Sequence, residues 1–166
     1  MEMREILLDK VVVNMGVGNN ADDLKKSQQV METITGRKAI RTKTNLRIPT
    51  WDLRPGLEIG LKVTLRGNSA KEFLERVLVA KEKQLKAKSF DQRGNFGFGI
   101  KEYIDVPGTK YDPKLGIRGF DVLVSIKRRG YRVSKRKIRP AKLGKKHIIT
   151  KQEGIDFVKT MGVEII

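Results

Sequence analysis

The sequence predicts an α+β fold, a largely antiparallel sheet with helices packed on one face. Three observations lead there. The elements read in the order β-α-β-β-α-β-β, followed by a basic segment and a last helix. In residues 57–66, Leu57, Ile59, Leu61, Val63 and Leu65 alternate with Glu58, Gly60, Lys62, Thr64 and Arg66. That period of two gives a strand one apolar face and one polar, basic face. The strand before it enters through a hairpin rather than through the crossover helix of a parallel unit.

The elements follow in chain order. Leu7-Leu8 and Val11-Val12-Val13 form an apolar, β-branched segment, too short for a buried helix, that Gly16 and Gly18 end. Asn20 or Asp22 caps a helix that runs to Gly36, with Ala21, Leu24, Gln28, Met31 and Ile34 near helical spacing. Residues 38–46 read as a second strand and 57–66 as the third. The connection Arg47–Gly56 holds two prolines and the only Trp. Asn68 or Ser69 caps a second helix, and Ser69 with Glu72 has the spacing of a capping box. Phe73, Leu74, Val77 and Leu78 form its apolar stripe. Residues 96–104 and 120–126 read as strands, and 151–161 as a short helix that Thr150 caps. No internal repeat is present, and residues 1–166 read as one domain.

The length of 166 residues suits one domain with a core of its own. The absence of Cys excludes disulfides, thiolate metal sites, iron–sulfur clusters and Cys nucleophiles. A single His, His147, excludes a two-histidine metal site, and no Ser or Asp stands near it in sequence to build a nucleophile. No P-loop is present around Gly144-Lys145. Catalysis is therefore not expected, nor a cofactor or a metal. Glu2, Arg4 and Glu5 interrupt any leader-like start, and no apolar run has the length of a membrane helix. The expected compartment is the cytoplasm.

Charge is the strongest functional clue. Lys and Arg number 36 against 19 Asp and Glu, a net charge of +17. Such self-repulsion is best tolerated beside a polyanion, and a pI near 10.2 fits a nucleic-acid partner. The charge is also uneven. Arg128, Arg129, Arg132, Lys135, Arg136, Lys137, Arg139, Lys142, Lys145, Lys146 and Lys151 follow one another without an Asp or Glu. Ile138, Leu143, Ile148 and Ile149 punctuate this run and suggest a segment tethered at both ends, mobile alone and ordered by phosphate. A second basic region comprises Arg37, Lys38, Arg41, Lys43, Arg47, Arg54, Lys62 and Arg66.

Three motifs carry competing readings. Gly16-Val-Gly-Asn-Asn-Ala21 matches a dinucleotide fingerprint, but Asp22 and Asp23 would repel a pyrophosphate and no parallel unit follows. A tight turn, or a backbone contact to RNA, remains. Arg93-Gly-Asn-Phe-Gly-Phe98 is close to the RNA-stacking strand motif with one residue too many. Phe96 and Phe98 are either core or exposed stacking platforms, and the second option would make the chain a free single-strand RNA module. Trp51, beside Ile48, Pro49 and Leu53, either packs locally or is presented to a partner.

Val12-Val-Asn-Met-Gly-Val-Gly18, Ile34-Thr-Gly-Arg37, Gly60-Leu-Lys-Val-Thr-Leu-Arg-Gly67 and Ser89-Phe-Asp-Gln-Arg-Gly-Asn-Phe96 resemble the signature segments of the large-subunit ribosomal protein five family. Gly99–Asp105 and a basic insertion at 128–150 resemble its archaeal and eukaryotic branch. The resemblance implies a curved sheet with helices on its convex side. It implies binding to 5S rRNA through the sheet face and the first strand–helix turn, at Asn14, Gly16, Arg37, Thr64 and Arg66; the neighbouring Met15, Gly18, Lys38, Arg41 and Lys62 complete the expected 5S rRNA site. Arg37 replaces the Gln common in bacterial members. The hairpin Thr44–Gly56 corresponds to the loop that reaches P-site tRNA, at Arg47, Ile48, Pro49, Thr50, Trp51 and Arg54. The basic segment is expected on large-subunit rRNA. Further implied partners are neighbouring ribosomal proteins, including one at a bridge to the small subunit, with the protein in the central protuberance of the cytoplasmic large subunit.

Overall fold

The computed structural model describes residues 3–166; Met1 and Glu2, part of the leader reading, lie outside the described residues. Five strands form one open antiparallel sheet: β1 (Ile6–Gly16), β2 (Ile40–Lys43), β3 (Glu58–Leu65), β5 (Phe96–Ile100) and β6 (Phe120–Arg128). Their spatial order is β2-β3-β1-β6-β5. A short parallel pair joins β4 (Gln84–Leu85) to β7 (Glu164–Ile165). The helices are α1 (Ala21–Thr35), α2 (Asn68–Ala80), α3 (Arg132–Lys135) and α4 (Lys151–Lys159).

Strand parity builds the core. Val11, Val13 and Met15 of β1 lie beside Leu61, Val63 and Leu65 of β3 and Val122 and Val124 of β6. All point to one side, where Leu24, Met31 and Ile34 of α1 and Phe73, Leu74 and Val77 of α2 cover them in one cluster. Ile155 and Val158 of α4 join the same cluster. Burial of these side chains, at about 25 cal/mol per Å² of apolar surface, is the main stabilising term. Among the described residues α1, α2 and α4 all pack on this one side, and only the short α3 reaches the other side, at its edge, through Lys135.

Asn20 caps α1 by accepting from the Asp22 amide, and Gly36 closes it with φ 64°. Three sequence expectations change. The second strand contracts from 38–46 to Ile40–Lys43, and the 96–104 strand ends at Ile100 before a 3-10 turn at Tyr103–Asp105. The Ser69–Glu72 capping box does not form. Gly67, with φ 63°, takes the cap position, and Ser69 lies inside the helix, accepting from Arg37 Nη2 at 3.3 Å. A capping box does form at α4, where Thr150 and Glu153 bond each other's backbone amides.

Candidate nucleic-acid interface

The uncovered face of the sheet follows from the same parity. Opposite the core residues stand Lys10, Val12 and Asn14 of β1, Lys62 and Thr64 of β3, and Leu123 and Ser125 of β6. Asn14 pairs across the sheet with Lys62, and Val12 with Thr64. Gly97 of β5 leaves room for Leu123, whose Cδ2 would lie 2.7 Å from any Cβ there. Lys10, Val12, Asn14, Leu123 and Ser125 line a broad depression on this face. The surface is wide, shallow and half-apolar. Asp91 and Asp121 line its β5 side, where Asp121 stands beside Asn14, and the cations Lys10 and Lys62 lie on its β1–β3 side, so an extended polyanion is favoured there rather than across the whole face.

An irregularity in β1 concentrates charge at one end of that face. The β1–β6 register shifts between Leu8 and Lys10. The extra residue turns Asp9 to the open side. Asp9 is only 7% exposed. Its Oδ1 accepts from Lys127 Nζ at 2.7 Å and Arg66 Nη1 at 3.4 Å, and its Oδ2 from Lys135 Nζ at 3.4 Å. Burial pushes the Asp9 carboxyl up, but the hydrogen bonds and charges of Lys127 and Lys135 outweigh it and hold it below the usual carboxylate range.

The basic segment starts from β6 and returns to α4, and both ends are fastened. Arg128 Nη2 donates to Glu153 Oε1 at 2.6 Å, and Nη1 to the His147 carbonyl at 3.3 Å. The Tyr131 hydroxyl donates to the same carbonyl and accepts from the Ile149 amide at 3.0 Å. His147 Nε2 lies 2.7 Å from the Arg129 carbonyl, so that nitrogen carries the proton. The single histidine is thus a structural tie. Between these anchors residues 134–142 are exposed throughout.

The hairpin 44–56 is closed by the Thr44 amide on the Leu57 carbonyl and the Gly56 amide on the Thr44 carbonyl. Ile48 and Leu53 bridge its tip around a 3-10 turn at Pro49–Trp51. Trp51 is 69% exposed. It does line, with Leu53 and Ile59, a small cleft beside the Gly16–Gly18 turn.

Two family models match the chain in tandem: Ribosomal protein L5 over residues 2–54, and the C-terminus of the same ribosomal family over residues 58–157. A relative named large ribosomal subunit protein uL5 from Nanoarchaeum equitans is 46% identical over 166 residues, covering 99% of this chain and 98% of the relative. The chain belongs to the ribosomal protein L5 family. Relatives of the same name from Sulfolobus acidocaldarius and Methanococcus aeolicus are 46% and 44% identical, covering 95% of this chain in each case and 88% and 90% of the relative. These relatives are archaeal, in keeping with the branch that the basic insertion resembles. The L5 family is one of structural ribosomal proteins, not of enzymes.

The L5-type positions fall into distinct places. Asn14, Lys62, Thr64 and Arg66 share the open face, with Gly16 and Gly18 exposed at its end. Met15 has the opposite parity and is buried in the core, so its side chain is not part of the surface. Arg41 also departs. It pairs with Leu61, on the helix side, and its guanidinium reaches Glu58 at 2.9 Å and Gln28 of α1 at 3.1 Å. Arg37 and Lys38 lie at the end of α1, away from the face centre. Arg128, at 5% exposed, is a folding residue rather than part of the exposed basic run. Phe96 and Phe98 are buried and stack on one another, so they offer no platform to a base. That removes the single-strand module reading. Lys10, Lys127 and Asp9 escape the sequence reading; the parity of β6 would have found Lys127, while the register shift in β1 hides Lys10 and Asp9.

Among the described residues no group of His, Asp and Glu gathers as a metal site, and no helix is long and apolar enough to cross a membrane.

Proposed function

We propose that this chain is a structural component of the large ribosomal subunit, in the cytoplasm, that binds 5S rRNA through the open face of its sheet and helps form the central protuberance. The carrying observation is the one-sided sheet. Asn14, Thr64 and Arg66, implied by the family resemblance, share with Lys62 of the second basic region the face opposite α1, α2 and α4. Lysines and Arg66 bind phosphate, while Asn14 and Thr64 are the polar groups suited to ribose or base edges.

The exposed hairpin 44–56 extends this reading to P-site tRNA, with Arg47, Arg54 and Trp51 at the contact. The exposed run between Arg132 and Lys146 is assigned to large-subunit rRNA and to neighbouring ribosomal proteins, including one of the small-subunit bridge. Binding of purified protein to 5S rRNA, to a tRNA and to an unstructured oligonucleotide tests the assignment. A preference of at least tenfold for 5S rRNA at moderate salt is expected. Equal affinity for all three would contradict it.

A further inference from the structure

We propose that Asp9 is a positioning residue for RNA: it gathers Arg66, Lys127 and Lys135 into one phosphodiester-binding site at the end of the open face. The proposal rests on the RNA-binding reading above and adds a site and a role for an acidic residue to it.

The three cations come from separate places in the chain. Arg66 follows β3, Lys127 lies in β6, and Lys135 ends α3 within the basic segment. Left alone they would repel one another. A single buried carboxylate brings all three within 3.4 Å of its two oxygens. The assembly carries three positive charges and one negative, and therefore stays doubly positive.

The burial pattern shows which way it faces. Asp9 lies beneath, while the side chains of Arg66 and Lys135 are 60% and 64% exposed. An ammonium has three donors and a guanidinium five, and each cation gives Asp9 one hydrogen bond. Among the described residues Asp9 is the one hydrogen-bond partner of the Arg66 and Lys135 head groups, which leaves their other donors to a phosphodiester oxygen placed between these two exposed side chains. Asp9 is shielded from the incoming anion by the cations it orients. Preorganisation of this kind removes the ordering cost that long, mobile side chains impose on binding.

The sign of one substitution separates this from plain electrostatics. Asp9→Asn raises the formal net charge by one. If Asp9 merely offsets charge, the variant binds 5S rRNA more tightly and with a steeper salt dependence. The proposal expects about a tenfold weaker affinity, and a log–log salt slope shallower by about 1, with circular dichroism unchanged. A loss of fold stability alone would leave the slope of the folded protein unmoved, so an unmoved slope overturns the proposal, as does a gain in affinity. Lys135→Gln should weaken binding in the native background and have little further effect beside Asp9→Asn; equal effects in both backgrounds also overturn it.

Should Asp9→Asn not fold, the exposed pair Arg66→Gln and Lys135→Gln decides. One shared phosphate predicts that the double variant lowers the slope by about 1; a fall of about 2, or none, contradicts a shared site. If the native protein itself binds 5S rRNA without salt dependence, the RNA reading fails. If it binds normally and only the Asp9 results come out reversed, this proposal alone fails.

Discussion

A Cβ atom on Gly154 would lie 2.5 Å from the Cα of Gly94. The first turn of α4 therefore rests directly on the loop that precedes β5. Gly94 itself has φ 72°, which suits glycine, and any Cβ there would meet the Gly154 backbone together with Ile126 and Ile149 at 3.1 Å. With the Arg128–Glu153 pair, this contact closes the basic segment into a loop whose two ends are joined by protein alone. Gly154→Ala should cost about 2–3 kcal/mol, since backbone rather than a flexible side chain must move. Urea unfolding measures it. A loss below about half a kcal/mol would show that α4 shifts freely.

Removal of Glu153 acts on the same joint. Its carboxyl is held below the usual range first by the Thr150 amide and then, against partial desolvation, by Arg128. Glu153→Ala removes the N3 half of the capping box and leaves the buried Arg128 guanidinium with only the His147 carbonyl. We expect a loss of about 2 kcal/mol, combining a cap with a stranded buried cation. Stability unchanged within experimental error would contradict the joint.

Acid should destabilise the fold through four carboxylates whose values are depressed in the native state: Asp9, Asp23, Glu32 and Glu153. For Asp23 the leading cause is the hydrogen bond from Arg118, and for Glu32 the one from Gln28. A depressed carboxylate stabilises the fold fully above its unfolded value and loses that contribution as pH falls through its folded value. Melting temperature should therefore be flat from about pH 7 to about 5 and drop below about pH 4. Asp9→Asn should make the drop shallower. A melting temperature that rises on acidification would contradict the sign.

The hairpin predicts a division of labour. Replacing residues 46–55 by a short Asn-Gly turn should leave the sheet intact, because Thr44 and Leu57 close it independently of the tip. Affinity for 5S rRNA should stay within about twofold while any tRNA contact is lost. Loss of 5S rRNA binding with an unchanged circular dichroism spectrum would place the hairpin, through the cleft Trp51 shares with the Gly16–Gly18 turn, in the 5S rRNA site instead.

Amide exchange should divide the basic segment. Ile149, bonded to the Tyr131 hydroxyl, should be protected in the free protein. The exposed amides of residues 137–139, between the bonded amides of Arg136 and Ala141, should exchange rapidly and gain protection only with RNA bound. Slow exchange there without RNA would show intrinsic order.

Parity explains what the sequence disclosed and what it concealed. The faces of β3 were legible because Leu61, Val63 and Leu65 alternate with Lys62, Thr64 and Arg66. Those of β1 were not, since Val12 is apolar on the open side and the run Val11–Val13 looks buried on both faces. The extra residue at Asp9 breaks the register as well. Arg128 looked like one more charge in a basic run, yet it continues the inward series Val122, Val124, Ile126 and meets Glu153, a partner 25 residues away that no local pattern announces. The capping box at Ser69 failed because Gly67, with its positive φ, took the cap position first. Phe96 and Phe98 could be placed inward only once β6 was seen beside them.

The most direct test of the central claim compares two charge removals of equal size. Lys10→Gln, Lys62→Gln and Arg66→Gln together strip the open face; Lys25→Gln, Lys26→Gln and Lys71→Gln strip the exposed side of α1 and α2. The formal net charge falls equally in both. Binding to 5S rRNA across a salt series should weaken at least about tenfold in the first variant, with a slope shallower by about 2 to 3, and change less than about twofold in the second. Equal losses in the two variants, or a larger loss on the helical side, would contradict recognition through the open face of the sheet.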